Sequence, residues 1–158
     1  MCAICIQRIK YMPHSMNWKF ELKDLDLDKL EKEVIILTDK LWQDGNGPQV
    51  NGRTKEQIYD NTYRGLAAEH YLIEHQGFSN NSEHCQDVID PNGVRIEVKV
   101  TINEETMHKF VVPRLNRIKN WYPDTYPDIA YVFYNNHHRT PDEYEFGAVL
   151  TWDGKTFL

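Results

Sequence analysis

Asp87, Glu97 and Lys99 are the residues whose types and spacing suit them best to chemistry. Carboxylates supply hard oxygen ligands of the kind Mg²⁺ prefers. A lysine beside them supplies a positive charge able to orient a water or to offset charge building on a phosphoryl group. The local pattern brings the three together. Over 94–102 the even positions are Val94, Ile96, Val98, Val100 and Ile102, and the odd ones are Arg95, Glu97, Lys99 and Thr101. That alternation predicts a strand with one apolar and one polar face, and puts Glu97 and Lys99 side by side about 6 to 7 Å apart on the polar face. A half-exposed antiparallel strand without any site has the same pattern.

The preceding turn adds Asp87. Asp90-Pro91-Asn92-Gly93 suits a three-residue hairpin loop, a type I turn closed by a glycine in the left-handed region. Pairing Asp90 with Val94 then sets Val88 opposite Ile96 and Asp87 opposite Glu97, with Asp90 itself a turn residue. Two acids facing each other on neighbouring strands repel unless a cation lies between them. Asp87 and Glu97 would hold a divalent ion, with the backbone carbonyl of Val98 as a further candidate ligand. Glu69 is an independent sign. In a helix it shares a stripe with Ile58, Thr62, Leu66, Leu72 and Ile73, all within about 60° of one direction. A carboxylate facing the sheet must be paired, protonated or metal-bound, and a salt bridge to Arg95 or Lys99 would serve as well as a metal.

These residues together resemble the PD-(D/E)xK nuclease superfamily, the fold of many restriction enzymes, resolvases and repair nucleases. The matching motifs are Gln86-Asp87-Val88-Ile89 and Ile96-Glu97-Val98-Lys99 on successive strands, after a helix carrying Glu69. The resemblance covers 54–134; Gln86 stands where the name-giving proline often sits, and no Q-x-x-x-Y element follows the third helix. It implies a restriction-endonuclease-like α/β fold, a mixed sheet flanked by helices, and a Mg²⁺-dependent endonuclease acting on DNA, with Mn²⁺ able to substitute. Asp87, Glu97, Lys99 and Glu69 would be its catalytic residues. A homodimer is compatible with it, since double-strand cutting by so small a domain needs two copies.

The elements that must position these residues follow the order α-α-β-β-α-β-β, with a further short strand allowed at 78–81. Residues 1–23 read as an arm or short strand. Asp28 is expected to cap a first helix reaching Trp42, with Leu30, Val34, Leu37 and Leu41 on one stripe. Thr54 and Gln57 make a capping box for a second helix that should stop at Gly77. Strands are expected at 85–90 and 94–102, a third helix at 113–121 opened by Pro113, and strands at 129–134 and 144–152. One domain spans 1–158: arm and first helix to 53, catalytic core over 54–134, and a closing loop and strand over 135–158.

With 158 residues, 41% hydrophobic and 27% charged, the chain fits a soluble globular domain. Its apolar runs are too short to cross a bilayer and its start lacks signal-peptide order, so a cytoplasmic location without membrane contact is the expectation. Cys2, Cys5 and Cys85 do not make a disulfide framework. Cys2-x-x-Cys5 with His84 and Cys85 could be drawn as a zinc site, but adjacent residues rarely both reach one tetrahedral metal, and buried or idle thiols fit better. The net charge of −6 disfavours a polyanion partner at first sight. Between His108 and Tyr122, however, lie Lys109, Arg114, Arg117 and Lys119 with no acid, which are candidate phosphate contacts unless they merely solvate a helix. Trp121, Tyr122, Tyr126 and the His137-His138-Arg139 loop are weaker candidates for base contacts. The alternatives are a non-catalytic nucleic-acid-binding module of the same fold, or an acidic DNA mimic built on Asp24-Leu25-Asp26-Leu27-Asp28.

Overall fold

A computed structural model of the chain describes residues 16–45, 52–80, 87–121 and 129–152. Expectations that fall elsewhere, among them Cys2, Cys5, His84, Cys85, Gln86, Tyr122 and Tyr126, lie outside the described residues. The elements are strands β1 (Lys19–Glu21), β2 (Ser79–Asn80), β3 (Val88–Ile89), β4 (Arg95–Thr101), β5 (Ile129–Tyr134) and β6 (Glu143–Thr151), and helices α1 (Leu27–Asp44), α2 (Lys55–Gln76) and α3 (Val112–Trp121). Among the described residues no helix is long and apolar enough to cross a membrane.

The strands form one six-stranded sheet in the order β1-β6-β5-β4-β3-β2. Only β4 and β5 are parallel; the other neighbours are antiparallel. A parallel pair needs a crossover, and the helical stretch ending in α3 supplies it. β5 reads Ile-Ala-Tyr-Val-Phe-Tyr and is buried on both faces, as a central strand covered on either side must be. On one face Ile96, Val98, Ile129, Tyr131 and Phe133 pack with Ala67, Ala68, Tyr71 and Leu72 of α2 and with Leu30 and Val34 of α1. On the other, Ala130, Val132 and Leu150 pack with Met107, Val111 and Leu115.

Local chemistry explains most boundaries. Thr54 and Gln57 cap α2 reciprocally, and Gly77 ends it at φ 74, where a residue with a side chain would be strained. For α1 the cap is Asp26 rather than Asp28: the Asp26 carboxylate accepts from the Lys29 N–H at 3.2 Å, and Asp28 falls in the first turn. Of the expected 85–90 strand, the described residues form strand over Val88–Ile89. The third helix also differs. Helix begins at Glu104–Thr106 and passes through a π-helical turn, Met107–Val111, in which the Val112 N–H donates to the Met107 carbonyl. Pro113 has no N–H to return to residue 109, so the turn before it is free to widen.

Gly147 is the extra residue at a bulge, because Val132 pairs with Ala148 but Phe133 with Phe146. The Tyr134 ring lies where a Cβ at 147 would be. Gly147→Ala should therefore lower stability by about 1–3 kcal/mol. A thermal melt checks this, and an unchanged melting temperature would show that Tyr134 moves aside freely.

Candidate active site

The hairpin register determines the site. Val88 pairs with Ile96 and Ile89 with Arg95, and the Asp87 N–H donates to the Ile96 carbonyl at 3.1 Å. The turn is closed by the Gly93 N–H on the Asp90 carbonyl at 2.9 Å, with Gly93 at φ 83. The Asp90 carboxylate accepts from the N–H groups of Asn92 and Val94, at 2.9 and 2.8 Å. Asp90 is thus consumed by the turn, and Asp87 comes to face Glu97.

β3 covers β4 only as far as Ile96, so among the described residues no strand lies on that side of β4 from Glu97 onward, while β5 flanks the other side. The Asp87 carboxylate fills that gap, accepting the Val98 N–H at 2.8 Å. The main chain of Val98 thereby lines the site. Glu97 and Lys99 share a face and an ion pair, Oε1 to Nζ at 3.1 Å. By register they lie beside Ala130 and Val132, on the α3 side of the sheet. Glu69 comes from α2, which packs on the opposite face. Its charge interacts with those of Asp87, Glu97 and Lys99, so it meets them around the short edge of the sheet. No ion pair ties Glu69 to Arg95 or Lys99 among the described residues.

Glu97 is only 7% exposed. Asp87, Glu69 and Lys99 are half-buried. Burial pushes the Glu97 carboxyl up, Asp87 pushes it further, and Lys99 holds it back, leaving it at about 8. Burial raises Asp87 too, against Lys99, the Val98 N–H and a hydrogen bond from Glu97. Without a cation, burial and mutual repulsion thus favour a proton on the pair. Glu69 is pushed well up by burial and then by Asp87 and Glu97. For Lys99 burial works downward, but Glu97 and Asp87 outweigh it and the ammonium is held more tightly than usual.

The donor set fits Mg²⁺: hard carboxylate oxygens, crowded together and short of a positive charge. Among the described residues no three His, Cys, Asp or Glu side chains form a ready-made cage. A cation there would rest on Asp87 and Glu97, with backbone and water oxygens completing its shell, and Glu69 close by.

Of the basic candidates, Arg114 is half-buried on α3 within electrostatic reach of Glu97 and Lys99. Arg117 is exposed. Lys109 is exposed too, its ammonium 5.3 Å from the Phe110 ring. Lys119 does not join them. It is buried, with its ammonium 5.0 Å from the centre of the Trp152 ring. Sequence reasoning missed three residues nearby. Phe110 stands 59% exposed on the π-turn, where apolar side chains are normally buried. Arg53 precedes α2 and interacts with Arg114. His70, buried beside Glu69, has Nε2 2.6 Å from Glu33 and Nδ1 3.5 Å from Glu74, bracing α2 against α1. A histidine in an amphipathic helix and an arginine in a polar loop carry no pattern that marks them.

The raised Glu97 value has a definite sign for stability. Between the ordinary value of 4.5 and about 8 the folded chain holds a proton that the unfolded chain releases. Stability is therefore greatest below that window and falls as pH rises through it, by up to about 1.4 kcal/mol per pH unit for one proton. The metal-free protein should melt at lower temperature as pH goes from about 5 to about 8. Glu97→Gln should flatten this fall and Mg²⁺ should restore the lost stability of the native chain. Parallel melting profiles for native and variant protein would contradict it.

No protein-family model, curated protein or solved structure matches this chain.

Proposed function

We propose that the chain is a Mg²⁺-dependent nuclease of the PD-(D/E)xK kind, an endonuclease hydrolysing phosphodiester bonds in DNA. The observation that carries the reading is the pair of facing carboxylates, Asp87 and Glu97, which the hairpin register brings together with the Lys99 ammonium 3.1 Å from Glu97. The path α2-β2-β3-β4-α3-β5 supports it, being the helix–three strands–helix–strand order of the superfamily the sequence resembles.

Mg²⁺ bound there would polarise the scissile phosphate and lower the pKa of a coordinated water. Asp87 and Glu97 would hold it as carboxylates. Lys99 stays protonated, so it orients the attacking water and offsets charge on the phosphorane-like transition state rather than removing a proton. Glu69, pushed well up by burial and then by Asp87 and Glu97, would serve as a proton donor at the edge of the same site. Arg114 stands near enough to Glu97 to meet a substrate phosphate from the α3 side. Double-strand cutting would take two copies of the chain.

Plasmid incubated with the purified protein should be nicked with Mg²⁺ or Mn²⁺ and left intact with EDTA. Lys99→Ala should lower the rate by at least about 100-fold while the melting temperature stays close to that of the native protein. No metal-dependent cleavage of DNA or RNA in any form would overturn the reading in favour of a binding module or an acidic mimic.

A further inference from the structure

We infer that Arg53 and Arg114 form a second anion subsite, which takes a phosphodiester of the bound strand other than the one being cut. The identity of that ligand rests on the nuclease reading above.

Arg53 is half-buried just before the Thr54 cap of α2, and its Nη2 atom is buried with no hydrogen-bond partner. A guanidinium has five donors in a planar fork, and leaving a buried one unmet is costly. Natural interiors meet such a group with a carboxylate, yet no acid among the described residues pairs with Arg53. The charged group that interacts with it is Arg114, another cation. Burial first, and the Arg114 charge second, hold Arg53 below the usual arginine range. Arg114 has no ion-pair partner among the described residues either. Two guanidinium groups are thus held near each other with no anion between them. This is the reverse of the carboxylate pair, and it is relieved by a ligand of opposite sign.

The geometry favours a phosphodiester over a small carboxylate. Two forks can take the two free oxygens of one phosphate, each bidentate or nearly so. Arg114 belongs to both places, interacting with Arg53 on one side and with Glu97 and Lys99 on the other. Arg53 does not act on Glu97 or Lys99, whereas Arg114 acts on both and on Arg53, so the phosphate that the two forks share lies along the strand from the one over Glu97.

Binding in EDTA isolates the arginines from catalysis. A fluorescein-labelled DNA duplex of twenty base pairs should bind Arg53→Met about 5- to 10-fold more weakly than the native protein, with the slope of log K against log salt reduced by about one. Arg53→Lys should keep the slope while recovering only part of the affinity, since an ammonium lacks the fork. Inorganic phosphate, compared with chloride at equal ionic strength, should raise the melting temperature of the native protein and leave Arg53→Met unmoved. Without phosphate, Arg53→Met should melt at or above the native temperature, because an orphaned donor and a like-charge contact are gone. A lower melting temperature for Arg53→Met would mean that Arg53 serves the fold, and would overturn the inference. So would an unchanged salt slope together with unchanged phosphate protection. If native protein cleaves with Mg²⁺ while these two stay unchanged, the subsite falls and the nuclease reading stands. If phosphate protection depends on Arg53 but nothing is cleaved, the anion subsite stands and the nuclease reading falls.

Discussion

The molecule is organised around a charge imbalance that folding cannot relieve from within. Glu69, Asp87 and Glu97 are drawn together around one ammonium, that of Lys99. Fully ionised, the three carboxyls exceed it by two charges, and with Arg114 in reach of Glu97 a negative surplus remains; without a cation Glu97 is held at about 8. The ion pair at 3.1 Å between Glu97 and Lys99 relieves part of the repulsion but cannot serve Asp87 at full strength too. Buried like charges of this kind cost stability. A fold that keeps them gives up stability for something other than stability, which is the physical reason to read the cluster as a site.

Everything around the cluster makes that arrangement compulsory. The Asp90–Gly93 turn sets the hairpin register, and a slip of one residue would put Asp87 opposite an apolar position and turn Glu97 and Lys99 into the α2 core. The parallel pairing of β4 with β5 forces a crossover on the α3 side, which brings Arg114 over the polar face of β4. Among the described residues, the brevity of β3 leaves that side of β4 without a strand from Glu97 onward, and Asp87 uses the Val98 N–H as its anchor. Glu69 reaches the same edge only because α2 lies on the opposite face and His70 ties α2 to Glu33 of α1.

Much of this was legible in the sequence because it is written at short range. The alternation of β4, the Asp90-Pro91-Asn92-Gly93 turn and the Thr54–Gln57 box each involve residues a few positions apart, and each forms as the residues dictate. What escaped depends on distance or on helical phase. β1 is three residues long and is a strand only because β6 lies beside it. Lys119 follows Leu115 by four, so it shares the buried face of α3 rather than that of Arg114 and Arg117; charge composition hid what spacing would have shown. The π-turn comes from Pro113 acting backward on a segment that reads as a plain linker, and Phe110 is exposed on it. Arg53 carries no local pattern at all. Its meaning comes from Arg114, more than fifty positions away.

The net charge of −6 would argue against a polyanion partner if the protein presented that charge uniformly. It does not. Asp24, Asp26, Asp28, Glu31, Asp39 and Asp44 belong to α1 and the residues before it, whereas Lys109, Arg114 and Arg117 belong to the helical crossover from β4 to β5, and Arg53 feels the charge of Arg114. At physiological ionic strength charges are screened over about 8 Å, less than the width of a domain. On the proposed function, a strand lying over the carboxylate pair would therefore be held by the nearby cations and hardly feel α1. An approach from the α1 side would meet like charge instead. In an acidic protein such a separation would let the site bind phosphate while the remaining surface stays off nucleic acid, so that affinity and orientation come from the same few side chains.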